Sequence, residues 1–174
     1  HLLDQALFFG NEPAVVLHNL LGTGLIAHFL STIYLWFLPM VPLVLTAWLI
    51  WSRNISYGYW FATSQCLAWS LGTASYYALP TLGPGFEYQY LYVDLDNTGS
   101  SQLMDALASG RETVLWSGIT DSVQSVAGFA SLHCAITLIS LIYAWRLARP
   151  LFFILVGPGV LLVVSTVYLR HHYV

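Results

Sequence analysis

The chain has 174 residues, of which 57% are hydrophobic and only 7% charged, with a formal net charge of −3. Soluble domains carry about a quarter charged residues, so so few charges cannot solvate a surface of this size and lipid is the expected neighbour. There is no lysine, and the five basic residues are Arg53, Arg111, Arg146, Arg149 and Arg170, which excludes a basic nucleic-acid footprint.

In chain order, residues 13–24 are too short to cross a bilayer and read as an interfacial or re-entrant helix. Four later runs reach the roughly 20 apolar residues a crossing needs. The first is 25–51, broken by Pro39 and Pro42, and the second is 57–79. A long segment, 80–125, follows. The third run is 126–145. The fourth, 151–169, contains Gly157, Pro158 and Gly159, which membrane helices tolerate when neighbours satisfy the freed backbone groups. Within the long segment, 80–86 is rich in turn residues. From Ser100 to Trp116, apolar Leu103, Met104, Leu107, Val114 and Leu115 recur at helical spacing, predicting a short amphipathic helix on the membrane surface. Cys66 and Cys134 lie in apolar runs and read as buried packing without a disulfide. The fold class is therefore all-α, a polytopic transmembrane bundle with at least four spans, forming a single membrane domain over residues 1–174.

Arginine placement orients the spans. Arg53 lies between the first two, and Arg146 and Arg149 between the last two, so both short loops share one side. All eight acids, Asp4, Glu12, Glu87, Asp94, Asp96, Asp105, Glu112 and Asp121, fall on the other. The arginine-bearing loops are assigned to the cytoplasm. The long segment and His171-His172 then lie outside, and the expected location is a multi-pass protein of the plasma membrane.

A polar group at membrane depth is costly and is a functional candidate by default. His133 stands at the outer part of the third span, within Phe129-Ala130-Ser131-Leu132-His133. His171 and His172 follow the fourth span at its outer end. Topology thus brings His133 and His172 to one side. His18 and His28 read as structural or interfacial.

These strings resemble the type 2 phosphatidic acid phosphatase (PAP2) superfamily, and within it the inositol phosphorylceramide synthase-like branch. Ser131-Leu132-His133 is similar to the Ser-x-His motif. Ser165-Thr166, five residues, then His172 is similar to the family's last motif, and the string from Tyr168 to Val174 fits that branch. Leu79-Pro80-Thr81-Leu82-Gly83-Pro84 stands where the first motif is expected. The likeness covers nearly the whole chain. It departs in five respects. The first-motif strip holds no Lys or Arg. Thr166 replaces an Arg and Ala130 a frequent Pro. The Asp four residues after the second histidine would fall at position 176. The first and last helices of the family are also missing, so the chain is expected to be a fragment.

The resemblance implies a lipid phosphate phosphatase or phosphotransferase working through a phosphohistidine. His172 would be the nucleophile and His133 the general acid and then base. Ser131, Gly83 and Gly85 would offer a hydroxyl and backbone amides to the phosphate. Arg170, four residues from Thr166 and so on the same helical face, would replace part of the missing cationic clamp. Ser165, Thr166 and His171 would stand behind these. No metal or cofactor is implied. The expected partners are a lipid phosphate substrate, membrane lipids and other membrane proteins, with no nucleic acid. Two alternatives stay open, a non-catalytic subunit of a larger membrane complex that kept the fold, and a haem- or metal-binding membrane subunit.

Overall fold

The computed structural model describes residues 9–51, 54–78, 83–87, 97–117 and 131–172. Leu79 to Leu82, Arg53, Asp4, Asp94, Asp96, Asp121 and the third span before Ser131 lie outside them. The described residues form helices α1 (Pro13–Leu21), α2 (Leu25–Trp51), α3 (Ile55–Ala78), α4 (Pro84–Glu87), α5 (Gly99–Ser117), α6 (Leu132–Leu147) and α7 (Arg149–Tyr168).

Helix ends follow local chemistry. Pro13 opens α1, where a missing N–H costs nothing. Gly22 closes it at φ 81, its amide bonding the His18 carbonyl at 2.8 Å. Ser131 caps α6, its hydroxyl accepting from the Cys134 amide at 3.4 Å. The expected break at Pro39 and Pro42 does not occur, and α2 is continuous across both. The two prolines are three residues apart and exposed on one outer face, so the backbone bonds they remove lie away from the bundle interior.

Four helices close a ring of contacts, α2 with α3, α3 with α6, α6 with α7, and α7 with α2. α1 packs on α7 and α5 on α2. Each ring helix buries one stripe, Ala27, Leu30, Ser31, Tyr34 and Phe37 on α2, and Gly58, Phe61 and Gln65 on α3. The spacings of three and four are those of one helix face. The outward faces are apolar and exposed, with Leu38 and Leu43 on α2, Trp60 and Leu71 on α3, and Phe153 and Ile154 on α7. Such extensive exposed apolar surface does not suit water.

Two helices, α2 and α7, are long and apolar enough to cross a membrane. α3 has the length, at 24 residues, but is punctuated by Gly, Ser, Thr, Tyr and Gln. α6 has 16 residues, which rise roughly 24 Å against a hydrocarbon core of about 30 Å. Both cysteines are free, and Cys66 is exposed rather than buried, because it lies on the outward face of α3 one residue past inward Gln65.

Candidate active site

The second residue of α6 and the turn after α7 meet at one end of the ring. There the His133 and His172 ring centroids lie 5.9 Å apart. Tyr34, from the buried stripe of α2, is sandwiched between two imidazoles. It stacks on His133 at 4.4 Å and 17°, and on His171 at 4.2 Å and 3°. Phe37, three residues on, packs against His133 at 4.2 Å. The two aromatic residues thus form a wall that fixes the histidine planes.

The turn that carries His171 and His172 is tightly specified. α7 stops at Tyr168, and Arg170 takes the left-handed conformation with φ 66. The His171 and His172 amides both donate back to the Thr166 carbonyl, at 3.1 and 3.4 Å. The Thr166 hydroxyl donates to the Val163 carbonyl and that of Ser165 to the Leu162 carbonyl, so both buried hydroxyls turn into their own helix. Because the helix ends at Tyr168, four-residue spacing does not place Arg170 on a helical face with Thr166. That premise is corrected. The reason is the reversal of chain direction that a left-handed residue imposes.

Gly83 and Gly85 lie against this turn. A Cβ on Gly83 would come within 2.5 Å of the His171 carbonyl oxygen, and one on Gly85 within 3.2 Å of that of Arg170. The Gly85 amide donates to the Arg170 carbonyl at 3.0 Å. Here the glycines permit close approach of two backbones.

Ser100, at the start of α5, shares a 2.6 Å hydrogen bond with Nε2 of His171, and its amide donates to the Ser31 hydroxyl at 3.0 Å. Burial, joined by the neighbouring His172, His133 and Arg170, holds the His171 imidazole down at about 3. On the far side of the turn, Nε2 of His18 bonds the Tyr168 carbonyl at 2.9 Å, and the Tyr168 hydroxyl donates to the Gly22 carbonyl. Burial lowers the His18 pKa, the Tyr168 bond opposes this, and Arg170 lowers it again. The Arg170 charge is thus felt on both sides of the turn.

The structure brings His133, His171, His172, Gly83, Gly85 and the Arg170 backbone together. Ser131 is tied to the start of α6, and Ser165 and Thr166 support the turn from within α7. Sequence reasoning missed Tyr34, Phe37, Ser31 and Ser100. Three of these share the inward stripe of α2, whose three-and-four spacing marks a buried face. No such pattern marks Ser100. Among the described residues, no group of three or more His, Cys, Asp or Glu side chains is arranged to hold a metal ion.

Among the described residues the regular structure is all helical, two helices are long and apolar enough to cross a membrane, and a histidine pair is held against an aromatic wall. The family model of the PAP2 superfamily matches residues 1–174, and the chain belongs to that superfamily. Membership supports a phosphoesterase-type enzyme acting on a phosphorylated lipid or small molecule. No curated protein and no solved structure matches the chain.

Proposed function

We propose that the protein is a lipid phosphate phosphatase or phosphotransferase of the inositol phosphorylceramide synthase-like branch, spanning the membrane four times with its site on the extracytoplasmic side. The observation that carries this reading is the 5.9 Å separation of the His133 and His172 rings. A reacting atom must approach within about 3–3.5 Å of its nucleophile, so one phosphoryl group can touch both rings.

A ring nitrogen of His172 attacks phosphorus, the N–P bond forms, and the bond from phosphorus to the lipid oxygen breaks. His133 gives its proton to that leaving oxygen. In the second half-reaction a water or alcohol oxygen attacks phosphorus, the N–P bond breaks, and His133 takes back the proton. Hydrolysis and headgroup transfer differ only in this second acceptor. Equatorial phosphate oxygens need donors more than covalent chemistry. The Arg170 charge, felt at His171, supports Arg170 as one, and the Ser131 hydroxyl and Gly83 amide complete the proposed cradle, while the Gly85 amide, engaged by the Arg170 carbonyl, braces it. Ser165, Thr166 and His171 hold the turn.

The experiment offers a radiolabelled lipid phosphate to the full-length protein and quenches in alkali. A phosphohistidine survives alkali and is lost in acid. His172→Ala is expected to abolish the label, and His133→Ala to slow turnover by roughly 10²–10⁴-fold. Equal labelling of His172→Ala, or inactivity of the wild-type protein on diacylglycerol, isoprenoid and inositol lipid phosphates, removes the enzyme reading. One observation favours a non-catalytic relative as second reading. The chain has no lysine, and Thr166 stands at the family's Arg position. Phosphate-lipid binding without any turnover in the same assay would establish it.

A further inference from the structure

Beneath the histidines lies an apolar cavity of about 310 Å³. It is roughly twice the ~150 Å³ of an engineered apolar cavity that stays dry and binds benzene. Its roof is continuous with the site, because Phe37 lines it and also packs on His133 at 4.2 Å. Ile136, which also lines it, is three residues below His133 on α6. Trp36 and Met40, at 59% and 39% exposure, and exposed Pro158 mark its mouth, so it opens sideways between α2 and α7 onto the apolar outer surface.

Gln65, from α3, is the anomaly in this lining. It is 5% exposed, and its Oε1 accepts no hydrogen bond among the described residues. Two hydroxyls of the lining are engaged by their own helices, Ser140 donating to the Ile136 carbonyl and Thr32 to the His28 carbonyl, each at 2.9 Å. A buried amide oxygen without a donor is costly, and a lining whose other polar side chains are only the hydroxyls of Thr32, Thr137 and Ser140 makes it more so. Its depth can be read along α3. Gly72 abuts Leu132, since a Cβ there would lie 2.6 Å from Leu132 Cδ2. Gln65 is two helical turns earlier on the same face, so it sits roughly 10 Å beneath the level of the histidines.

Resting on the lipid phosphate reading above, we propose that this cavity receives the hydrocarbon chain of the substrate, and that Gln65 selects a chain bearing a hydroxyl in its middle. The phosphate stays at His133 and His172. The chain enters through the gap beside Trp36 and Met40. The chain hydroxyl donates to Gln65 Oε1, supplying the bond this oxygen lacks among the described residues. Gln65 is then a specificity residue, remote from the reacting atoms.

The test uses the full-length protein in phosphatidylcholine vesicles and a monoacyl phosphate whose chain carries a diazirine. Two monoacyl phosphates of equal length compete for photolabelling, one with a mid-chain hydroxyl and one without. The hydroxylated lipid is expected to compete at least tenfold better against the wild-type protein. Gln65→Leu and Gln65→Met, which keep the volume and remove the amide, are expected to erase the difference while still being labelled. Having two variants guards against one that fails to fold. Equal competition by both lipids in the wild type, or a preference that survives both substitutions, overturns the proposal, and a buried water would then be the partner of Gln65. Labelling is read apart from turnover. Discrimination without turnover on any lipid would uphold the cavity and sink the enzyme reading. Turnover without discrimination would do the reverse.

Discussion

Tyr34 is the residue on which the geometry of the histidines turns. With ring stacking at 4.4 Å to His133 and 4.2 Å to His171, it fills a space that each imidazole would otherwise cross by rotating. A stacked aromatic pair adds about 0.5–1.5 kcal/mol beyond its buried area, and Tyr34 makes two. Tyr34→Phe keeps both faces and is expected to hold kcat within about threefold. Tyr34→Leu keeps apolar bulk without planarity, and is expected to lower kcat by an order of magnitude or more while the protein still folds, because a small misplacement of a reacting group can cost about 10²-fold. The pair of rates, read beside the melting temperature, separates positioning from bulk stability. Equal rates for the two variants would deny Tyr34 this role.

At the scale of elements, the decisive join is between the short glycine-bearing segment at α4 and the turn after α7. Arg170 adopts a left-handed conformation, which costs a non-glycine residue roughly 1–2 kcal/mol. The Gly85 amide bonds the carbonyl of that residue, so the two segments brace each other. A Cβ at Gly83 would strike the His171 carbonyl oxygen, which is backbone and cannot swing aside. Gly83→Ala is therefore expected to push the α4 segment off the turn and to lower turnover at least tenfold. The chain's helical circular dichroism should hardly change, because the atoms the added Cβ would meet belong to Arg170 and His171, in the turn beyond the end of α7. Full activity in Gly83→Ala would show that the close approach is dispensable. The same join explains why Arg170 was misplaced from spacing alone. A four-residue interval puts side chains on one face only while the helix continues, and here it ends at Tyr168.

For the whole molecule, His171 links α5, α2 and the end of α7 through Ser100 and Tyr34. Its imidazole titrates at about 3 in the folded protein against an ordinary 6.5. Between those values the unfolded chain binds a proton that the folded chain does not. Stability is therefore complete above about pH 6.5 and falls as pH drops toward 3, by up to about 1.4 kcal/mol per unit. The lowered His18 pKa adds to it with the same sign. The melting temperature of the purified protein is expected to fall between pH 7 and pH 5, and His171→Gln to flatten that slope. An unchanged slope in the variant would place the acid sensitivity elsewhere.

Much of this was legible in the chain itself. Apolar runs and scarce charge predict an all-helical membrane-associated protein, since lipid rather than water is the only solvent that suits such a surface. The ordered histidine strings resemble the PAP2 superfamily, to which the chain belongs. The helix over Ser100 to Trp116 appears as α5, and Pro13 to Leu21 is a separate short helix. What tertiary structure decided was which faces meet. Tyr34, Ser31 and Ser100 carry no motif, and their place beside His133 and His171 comes from α2 and α5 packing together. The use of Gly85 on a backbone carbonyl, and the depth of Gln65 beneath the site, likewise depend on how separate helices register. The two histidines are adjacent because α6 begins where α7 ends, and periodicity along one helix contains no information about that pairing. Local pattern sets which side of a helix is buried, and only packing sets what it is buried against.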